Sequence, residues 1–402
     1  MFPKEFSSGK RGLGVRSDCW VKIKVTETNG RNISLDSKVY SLFGDSIEKL
    51  VDEILDFFEI KNCELELVDN GAFPFVIMAR IESVIRGVGL DNGKKFLPDF
   101  HGNIKDPIKD RQRRSRLYLP GDQPKLFINA GIHKPDGIIL DLEDSVAPDE
   151  KDSARIIVRN ALRAVDFLSA ERMIRINQLP LGLIDLEEVI PEKVDLILIP
   201  KVETSDQITE VSNKIKKIKT SSGISRDVFL MPIIESALGI MNAFKIAFAS
   251  EDIVALAIGL EDYTADIGTK RTEEGRESFF ARSMIVNAAK AKGIQAIDTV
   301  YSDVANDEGL IKSVIEAKGM GFDGKGCIHP RQIRVVHKGF SPTDEEIERA
   351  KKVVLAFEKA EKEGLGVVSL GSKMIDPPVV KRAFQTIDQA LSDHKIGKSW
   401  RE

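Results

Sequence analysis

Charged residues follow one apolar run after another through most of this chain. The run at 137–142 leads into Asp141, Glu143 and Asp144, the run at 172–176 carries Arg175, and the run at 194–200 is followed by Lys201. Glu235 follows the run at 229–234, Glu261 and Asp262 follow 253–259, Asp298 lies within 295–300, and His329 follows 321–328. Taken singly, an acid after a strand caps the next helix or pairs with a nearby base. Taken together on one rim, several like charges repel unless a cation, or an Arg and Lys partner, offsets them. A bound metal is the expected answer. The donors are oxygens with little His or Cys nearby, which favours a hard ion such as Mg²⁺ and disfavours zinc. Such an ion takes one or two carboxylates, and waters or substrate oxygens fill the other positions. His329 reads as a structural hydrogen-bonding residue.

These residues converge only if the runs are parallel strands ending on one face. Counting RLYLP at 116–120, eight apolar runs alternate with helical patterns such as ITEVSNKIKKIK and FFARSMIVNAAKAK. Near-continuous apolar strands joined by helices imply a parallel sheet buried on both faces. Its size suits closure into a (β/α)₈ TIM barrel, where catalytic groups stand at the carboxyl ends of the strands. An open doubly wound sheet is the alternative, and the lack of a Gly-rich fingerprint after any early strand weighs against it. Near the rim lie Gly121, Gly259, Gly268 and Gly275. The last two bracket the loop GTKRTEEGRES, which either closes over a ligand or is a solvated turn.

A chain of 402 residues exceeds the usual single core, so a second, smaller unit is expected. Residues 1–95 supply it as an α+β domain. VKIKVTE and ISLDS alternate like strands, Ile47, Leu50, Val51, Ile54, Leu55 and Phe58 keep helical spacing, and the strand-like CELELVDNG precedes the apolar PFVIMARIESVI. Residues 96–113 are polar, basic and aperiodic, as in a linker or an arm across a neighbour; the barrel spans 114–345 and a C-terminal helical extension 346–402. With 42% hydrophobic and 30% charged residues and a net charge of −4, the composition makes no case for nucleic acid or an anionic membrane as partner. MFPKEFSSGK lacks an apolar leader core, and no run approaches the roughly 20 apolar residues of a membrane helix, so a cytoplasmic protein is expected. Cys19, Cys63 and Cys327 are too scattered for a disulfide framework or thiolate zinc site and read as free structural thiols.

The motifs RSRLYLPGDQPK, ILDLEDSVAPDEK, RIN, LILIPKVE, IIESALG, LEDYTAD, CIHPRQI and SKMIDPPVV run in order over about residues 113–385. Together they resemble the citrate lyase β-subunit family, which includes malyl-CoA and citramalyl-CoA lyases within the HpcH/HpaI aldolase group. The resemblance implies a Mg²⁺-dependent carbon–carbon lyase that cleaves citramalyl-, malyl- or citryl-CoA into acetyl-CoA and a 2-keto acid. It implies Glu235 and Asp262 as the Mg²⁺ ligands and Arg175 as the group that neutralises the keto acid or developing enolate. Asp376 in MIDPP resembles an acid/base delivered from the C-terminal extension of a neighbouring subunit, which implies a homo-oligomer, trimer or hexamer. Arg114, Arg116 and Lys125 resemble basic groups that meet coenzyme A phosphates, and Glu143 an acid that orients metal-bound water.

The first domain resembles the acyl-carrier (γ) subunit of citrate lyase, through GVRSDCWVKI, VYSLFGDSIEKLVDEIL and DNGAFPFVIMARIESVI over about residues 9–88. In that family a serine just before a Ser-Asp pair carries a CoA-derived prosthetic group. Aligning Ser17 and Asp18 on the pair puts Arg16 at the modified position. Either Ser17 accepts the group one residue along, or the carrier role is lost and the domain serves assembly. Three alternatives follow: the β and γ parts of a citrate or citramalate lyase complex that needs an acyl-transferase subunit, an inactive barrel serving as scaffold, and a CoA-free Mg²⁺ aldolase. Oxaloacetate, pyruvate and glyoxylate differ by small groups beside the metal, so motifs leave the keto acid open.

Overall fold

Alternation of apolar and polar side chains builds the first unit. In the computed structural model, which describes residues 4–102, 104–363, 368–370 and 373–401, β2 (Cys19–Val25) and β4 (Cys63–Asp69) bury every second residue on one face. They form the middle of a sheet of order β1-β2-β4-β3, with β1 (Glu5–Gly9) and β3 (Arg31–Ser37) at its edges; β3 runs parallel to β4 and the other pairs are antiparallel. α1 (Tyr40–Phe57) lays the stripe Ile47, Val51, Ile54 and Leu55 on that face. β1 has no apolar alternation to announce it, and its pairing with β2 alone makes it a strand.

α2 (Pro74–Gly87) is apolar on two faces because it belongs to two cores. Ile77, Ile81, Val84 and Ile85 pack under the small sheet, whereas Phe75, Val76 and Ala79 join the core around the barrel. Eight parallel strands close that barrel: β5 (Ser115–Pro120), β6 (Gly137–Asp141), β7 (Glu171–Arg175), β8 (Leu196–Ile199), β9 (Phe229–Ile234), β10 (Ala255–Ile258), β11 (Gln295–Asp298) and β12 (Gly324–Cys327). Each of the eight apolar runs is one of these strands. Side chains of one parity, including Ile139, Met173, Leu198, Met231, Ile233 and Ala257, fill the interior. Those of the other parity pack against α3 (Lys151–Ala164), α4 (Gly182–Val189), α5 (Ser205–Ser221), α6 (Ala237–Ala247), α7 (Leu260–Asp266), α8 (Arg276–Lys292), α9 (Asp307–Met320) and α10 (Arg331–Phe340).

α11 (Asp344–Lys362) starts with a Thr343–Glu346 capping box and packs on α12 (Pro377–Ser392) through Val353, Val354, Val380, Ala383 and Ile387. Before α12 come two short antiparallel strands, β13 (Val368–Leu370) and β14 (Lys373–Ile375). The described residues of 96–113 form no helix or strand and lie against the barrel: His101 N donates to Arg163 O at 2.7 Å, and the Phe100 ring stacks with Arg163 and Lys193. All three cysteines are free and buried. Among the described residues no helix is long and apolar enough to cross a membrane.

Buried ion pairs fasten the small domain to the barrel. Arg80 of α2, wholly buried, grips Asp18 through Nε at 3.0 Å and Nη2 at 2.8 Å, and reaches Ser153 at the start of α3 at 2.6 Å. Arg159 of α3 holds Glu82 of α2 at 2.7 and 2.8 Å. Glu188 of α4 accepts from Arg86 at 2.9 Å, Arg159 at 3.1 Å and Lys95 at 3.1 Å. Burial alone would raise the Glu188 pKa, but Arg86, Arg159 and Lys95 bring it down to about 2. A carboxylate depressed in the folded state stabilises above its unfolded pKa of 4.5, and that stability is lost as pH falls towards about 2. The shift corresponds to about 3 kcal/mol, as an order of magnitude. Glu188→Gln is therefore expected to lower the melting temperature at pH 7, with the gap to the unaltered protein closing between pH 4.5 and 2. Thermal scans across that window check this; a gap that does not narrow refutes it.

Candidate active site

Asp141 ends β6 and Arg175 ends β7, and the parallel register sets them side by side. Arg175 Nε and Nη2 donate to the two Asp141 oxygens at 2.6 and 2.7 Å, and Nη1 lies 3.0 Å from Glu143 Oε2. Burial pulls the Arg175 pKa down, but the hydrogen bonds and charge of Asp141 outweigh it and keep the group firmly cationic. Glu143, itself buried, also accepts from Lys201 Nζ at 3.0 Å and Gln178 Nε2 at 3.1 Å. Lys151 donates to the carbonyls of Leu142 and Glu143 at 2.9 and 2.8 Å, which ties down the loop after β6. Lys201 follows β8 with a φ of 50°, a left-handed value uncommon for lysine. Despite some desolvation, Glu143 and Asp144 hold its pKa above the ordinary value.

Glu235 follows β9 and is 5% exposed, while Asp262 lies in the first turn of α7, after the neighbouring strand β10. The Glu235 carboxyl is within hydrogen-bond reach of Asp262; burial and then Asp262 push its pKa well above the usual carboxylate range, against the pull of Arg175. Two acids in contact, beside cations already matched by Asp141 and Glu143, need a proton or a further cation between them. Gly259 gives the first acid its room: a Cβ there would stand 2.9 Å from Glu235 Cγ and 3.0 Å from Oε2. Two oxygen donors on an open pocket fit a hard divalent ion that keeps positions for water and substrate. Among the described residues no group of three or more His, Cys, Asp or Glu gathers into a closed metal cage. The pocket, of about 350 Å³, is lined by Arg116, Tyr118, Pro120, Asp141, Arg175, Glu235 and Asp262, among others.

The other residues singled out by the sequence lie elsewhere. Arg114 is not on the rim: it precedes β5, at the opposite end of the barrel, paired with Asp136 at 2.9 Å and with Asp393 at 2.5 Å. Its expected phosphate contact is corrected on that ground. Arg116 is corrected too, because it points into the barrel and is 1% exposed, out of reach of any phosphate held outside. Lys125 is exposed just after the β5 turn. Asp376 is the exposed N-cap residue of α12 and does not line the pocket of its own chain. At the far end of that helix Asp393 is pinned to Arg114 and to Ser341, on the barrel's amino-terminal side. Ser17 is half-buried with a φ of 54°, and its N–H donates to Asn70 O at 3.1 Å. Asp298 is buried between Arg282 and Lys325. His329 Nδ1 accepts from Arg331 N at 3.2 Å, as a structural residue would. Sequence reasoning missed Tyr118, whose ring lies 5.3 Å from the Arg175 guanidinium, and Gln178. For Tyr118 the signal was available, since Arg116, Tyr118 and Pro120 share one face of a strand.

Residues 114–330 match the family model described as HpcH/HpaI aldolase/citrate lyase, and residues 11–88 match the one described as malonate decarboxylase delta subunit (MdcD). Citrate lyase subunit beta of Haemophilus influenzae is 43% identical over 283 residues, covering 70% of this chain and 97% of that protein. Mitochondrial citramalyl-CoA lyase of Mus musculus is 35% identical over 294 residues, covering 70% and 86%. Among solved structures, CitE from Mycobacterium tuberculosis in complex with magnesium, acetoacetate and coenzyme A superimposes with a TM-score of 0.57 at 30% identity, over 70% of this chain and 99% of that one. The site residues named above fall within the matched barrel, apart from Ser17 and Asp376, and the chain belongs to the HpcH/HpaI aldolase/citrate lyase family.

Proposed function

We propose that the barrel is a Mg²⁺-dependent carbon–carbon lyase that cleaves a 3-hydroxyacyl-CoA, of citramalyl, malyl or citryl type, into acetyl-CoA and a 2-keto acid. The observation that carries this is the Glu235 and Asp262 pair: two acids in contact, one buried, open to a pocket whose Arg175 is already matched. Those two carboxylates would hold the ion. When bound, Mg²⁺ would supply a Lewis acid that lowers the pKa of a substrate hydroxyl.

The chain's own groups do the rest. Cleavage breaks the bond between the hydroxyl-bearing carbon and the thioester α-carbon. The hydroxyl proton passes to water, the bonding pair passes to the α-carbon as an enolate, and a proton is returned to that carbon. Arg175 has five N–H donors and gives three of its contacts to Asp141 and Glu143, so donors remain for the charge that develops on substrate oxygen. Glu143, held by Lys201 and Gln178, is fixed where it would orient a water beside the two acids. Asp376 protonates the enolate carbon in the pocket of a neighbouring subunit, which makes the enzyme a homo-oligomer, trimer or hexamer, in the cytoplasm. Lys125 meets the coenzyme A phosphates.

The match of residues 11–88 to a carrier family favours a second reading, in which the thioester rides on this chain's first domain and an acyl-transferase subunit loads it. Free CoA is better supported. Arg16 occupies the modified position, and Asp18 two residues on is buried against Arg80, itself bonded to Ser153 of the barrel. An arm that must swing is poorly served by an anchor there. Full-length protein with Mg²⁺ is expected to release keto acid from at least one of citramalyl-, malyl- and citryl-CoA, and to stop on chelation. No release from any of them, or a prosthetic-group adduct in the intact mass of protein from its native host, would move the assignment to the carrier-bound reading.

A further inference from the structure

Two arginines line the pocket, and only one is neutralised. Arg175 is matched by Asp141 and Glu143. Arg116 is 1% exposed, its Nη1 faces Met231 Sδ at 2.9 Å, and its Nε has no hydrogen-bond partner. Among the described residues it makes no ion pair. The buried acid whose charge reaches it, Asp298, is already held between Arg282 at 3.1 Å and Lys325 at 2.7 Å. An unpaired guanidinium inside a barrel is a standing cost to the fold, and an apolar side chain of similar volume would be more stable there.

This buried cation is part of the pocket's lining. Arg116, Tyr118 and Pro120 face inward from β5, and Gly326 on the neighbouring β12, with Ala257 on β10, keeps the walls small. A Cβ on Gly326 would stand 2.6 Å from Val300 Cγ1 and 3.3 Å from Tyr118 Cε2. A nucleotide-bearing thioester is too large to enter about 350 Å³, so the half of the substrate that goes deepest is the small keto acid.

Resting on the lyase reading above, we infer that Arg116 is the receptor for a second carboxylate on the keto-acid half. The enzyme then prefers a thioester that releases a dicarboxylic keto acid, such as oxaloacetate from citryl-CoA, to those that release pyruvate or glyoxylate. A methyl group or hydrogen leaves the guanidinium unpaired, whereas a carboxymethyl arm completes a charge-assisted pair in a dry site.

The test compares full-length unaltered protein with Arg116→Met, on citryl-, citramalyl- and malyl-CoA with Mg²⁺. Unaltered protein is expected to favour citryl-CoA by about 100-fold or more in kcat/KM, and the variant to lose most of that ratio. Calorimetric titration of the Mg²⁺-loaded proteins gives a readout without turnover: oxaloacetate should bind unaltered protein about tenfold or more tighter than pyruvate, with the gap closed in the variant. The variant should also melt higher, since it removes an unpaired buried charge. If the Met variant does not fold, Arg116→Gln carries the same comparison. Equal turnover of the thioesters, or an unchanged ratio in the variant, overturns the role of Arg116 and leaves the lyase intact. If no thioester is cleaved the free-CoA reading fails, and an oxaloacetate preference that is absent from the titration overturns this inference on its own.

Discussion

Asp376→Asn is expected to lower kcat by about 10²- to 10⁴-fold, the usual contribution of a positioned acid or base, with Mg²⁺ affinity unchanged. The reason is positional. Asp376 is exposed at the amino end of α12, whose other end is fixed by Asp393 to Arg114 on the barrel face opposite Glu235 and Asp262. A 16-residue helix spans about 24 Å, and Asp376 is absent from the lining of its own pocket. Among the described residues Asp376 stands apart from the pocket that holds Glu235 and Asp262, so its loss should leave Mg²⁺ binding unaffected. The same geometry predicts complementation. Oligomers assembled from Asp376→Asn chains and Glu235→Gln chains, each inactive alone, should regain activity, because some pockets then combine an intact Glu235 with an intact Asp376 of a neighbour. Steady-state turnover with a parallel Mg²⁺ titration decides the first point, and co-refolded mixtures decide the second. Weakened Mg²⁺ binding in Asp376→Asn, or mixtures as inactive as their parts, would remove Asp376 from this role.

How much of this was legible in the sequence depended on what the physics of each element writes into it. A closed parallel barrel buries both faces of every strand, so its strands appear as unbroken apolar runs and all eight could be counted. The polar edge strand Glu5–Gly9 carries no such mark. The rim acids were legible because they follow those runs, and Glu235 and Asp262 met because β9 and β10 are neighbours. Arg114 and Arg116 show the limit. Both stand near the first strand, but Arg114 precedes it and so lies at the amino-terminal end, while Arg116 has the parity that faces inward. Residue type alone gave neither position. Arg80, Glu82 and Arg159 look like exposed helical charges, and only the docking of α2 on α3 buries them. That packing is a property of two elements together, which no local pattern encodes.

Glu235→Gln is the converse of the first substitution. It keeps the shape of the side chain, and the room that Gly259 leaves for it, but removes one of two anionic donors. Apparent Mg²⁺ affinity should fall by about 100-fold or more, since even partners one step removed from a metal are worth about 10- to 100-fold. Turnover should fall with it and recover partly at high Mg²⁺. Stability offers an independent readout. An ion that binds only the folded state stabilises it by about 2.7 kcal/mol at a hundred times its Kd, so Mg²⁺ should raise the melting temperature of unaltered protein and barely move that of the variant. Without metal the order should reverse or level. The buried acid then faces Asp262 with no cation between them, whereas the amide can donate a hydrogen bond to that carboxylate. Metal-free Glu235→Gln should therefore melt no lower than metal-free unaltered protein. A variant that keeps the full Mg²⁺-induced rise in melting temperature yet loses turnover would mean that Glu235 works on a proton and that the ion is held by other residues.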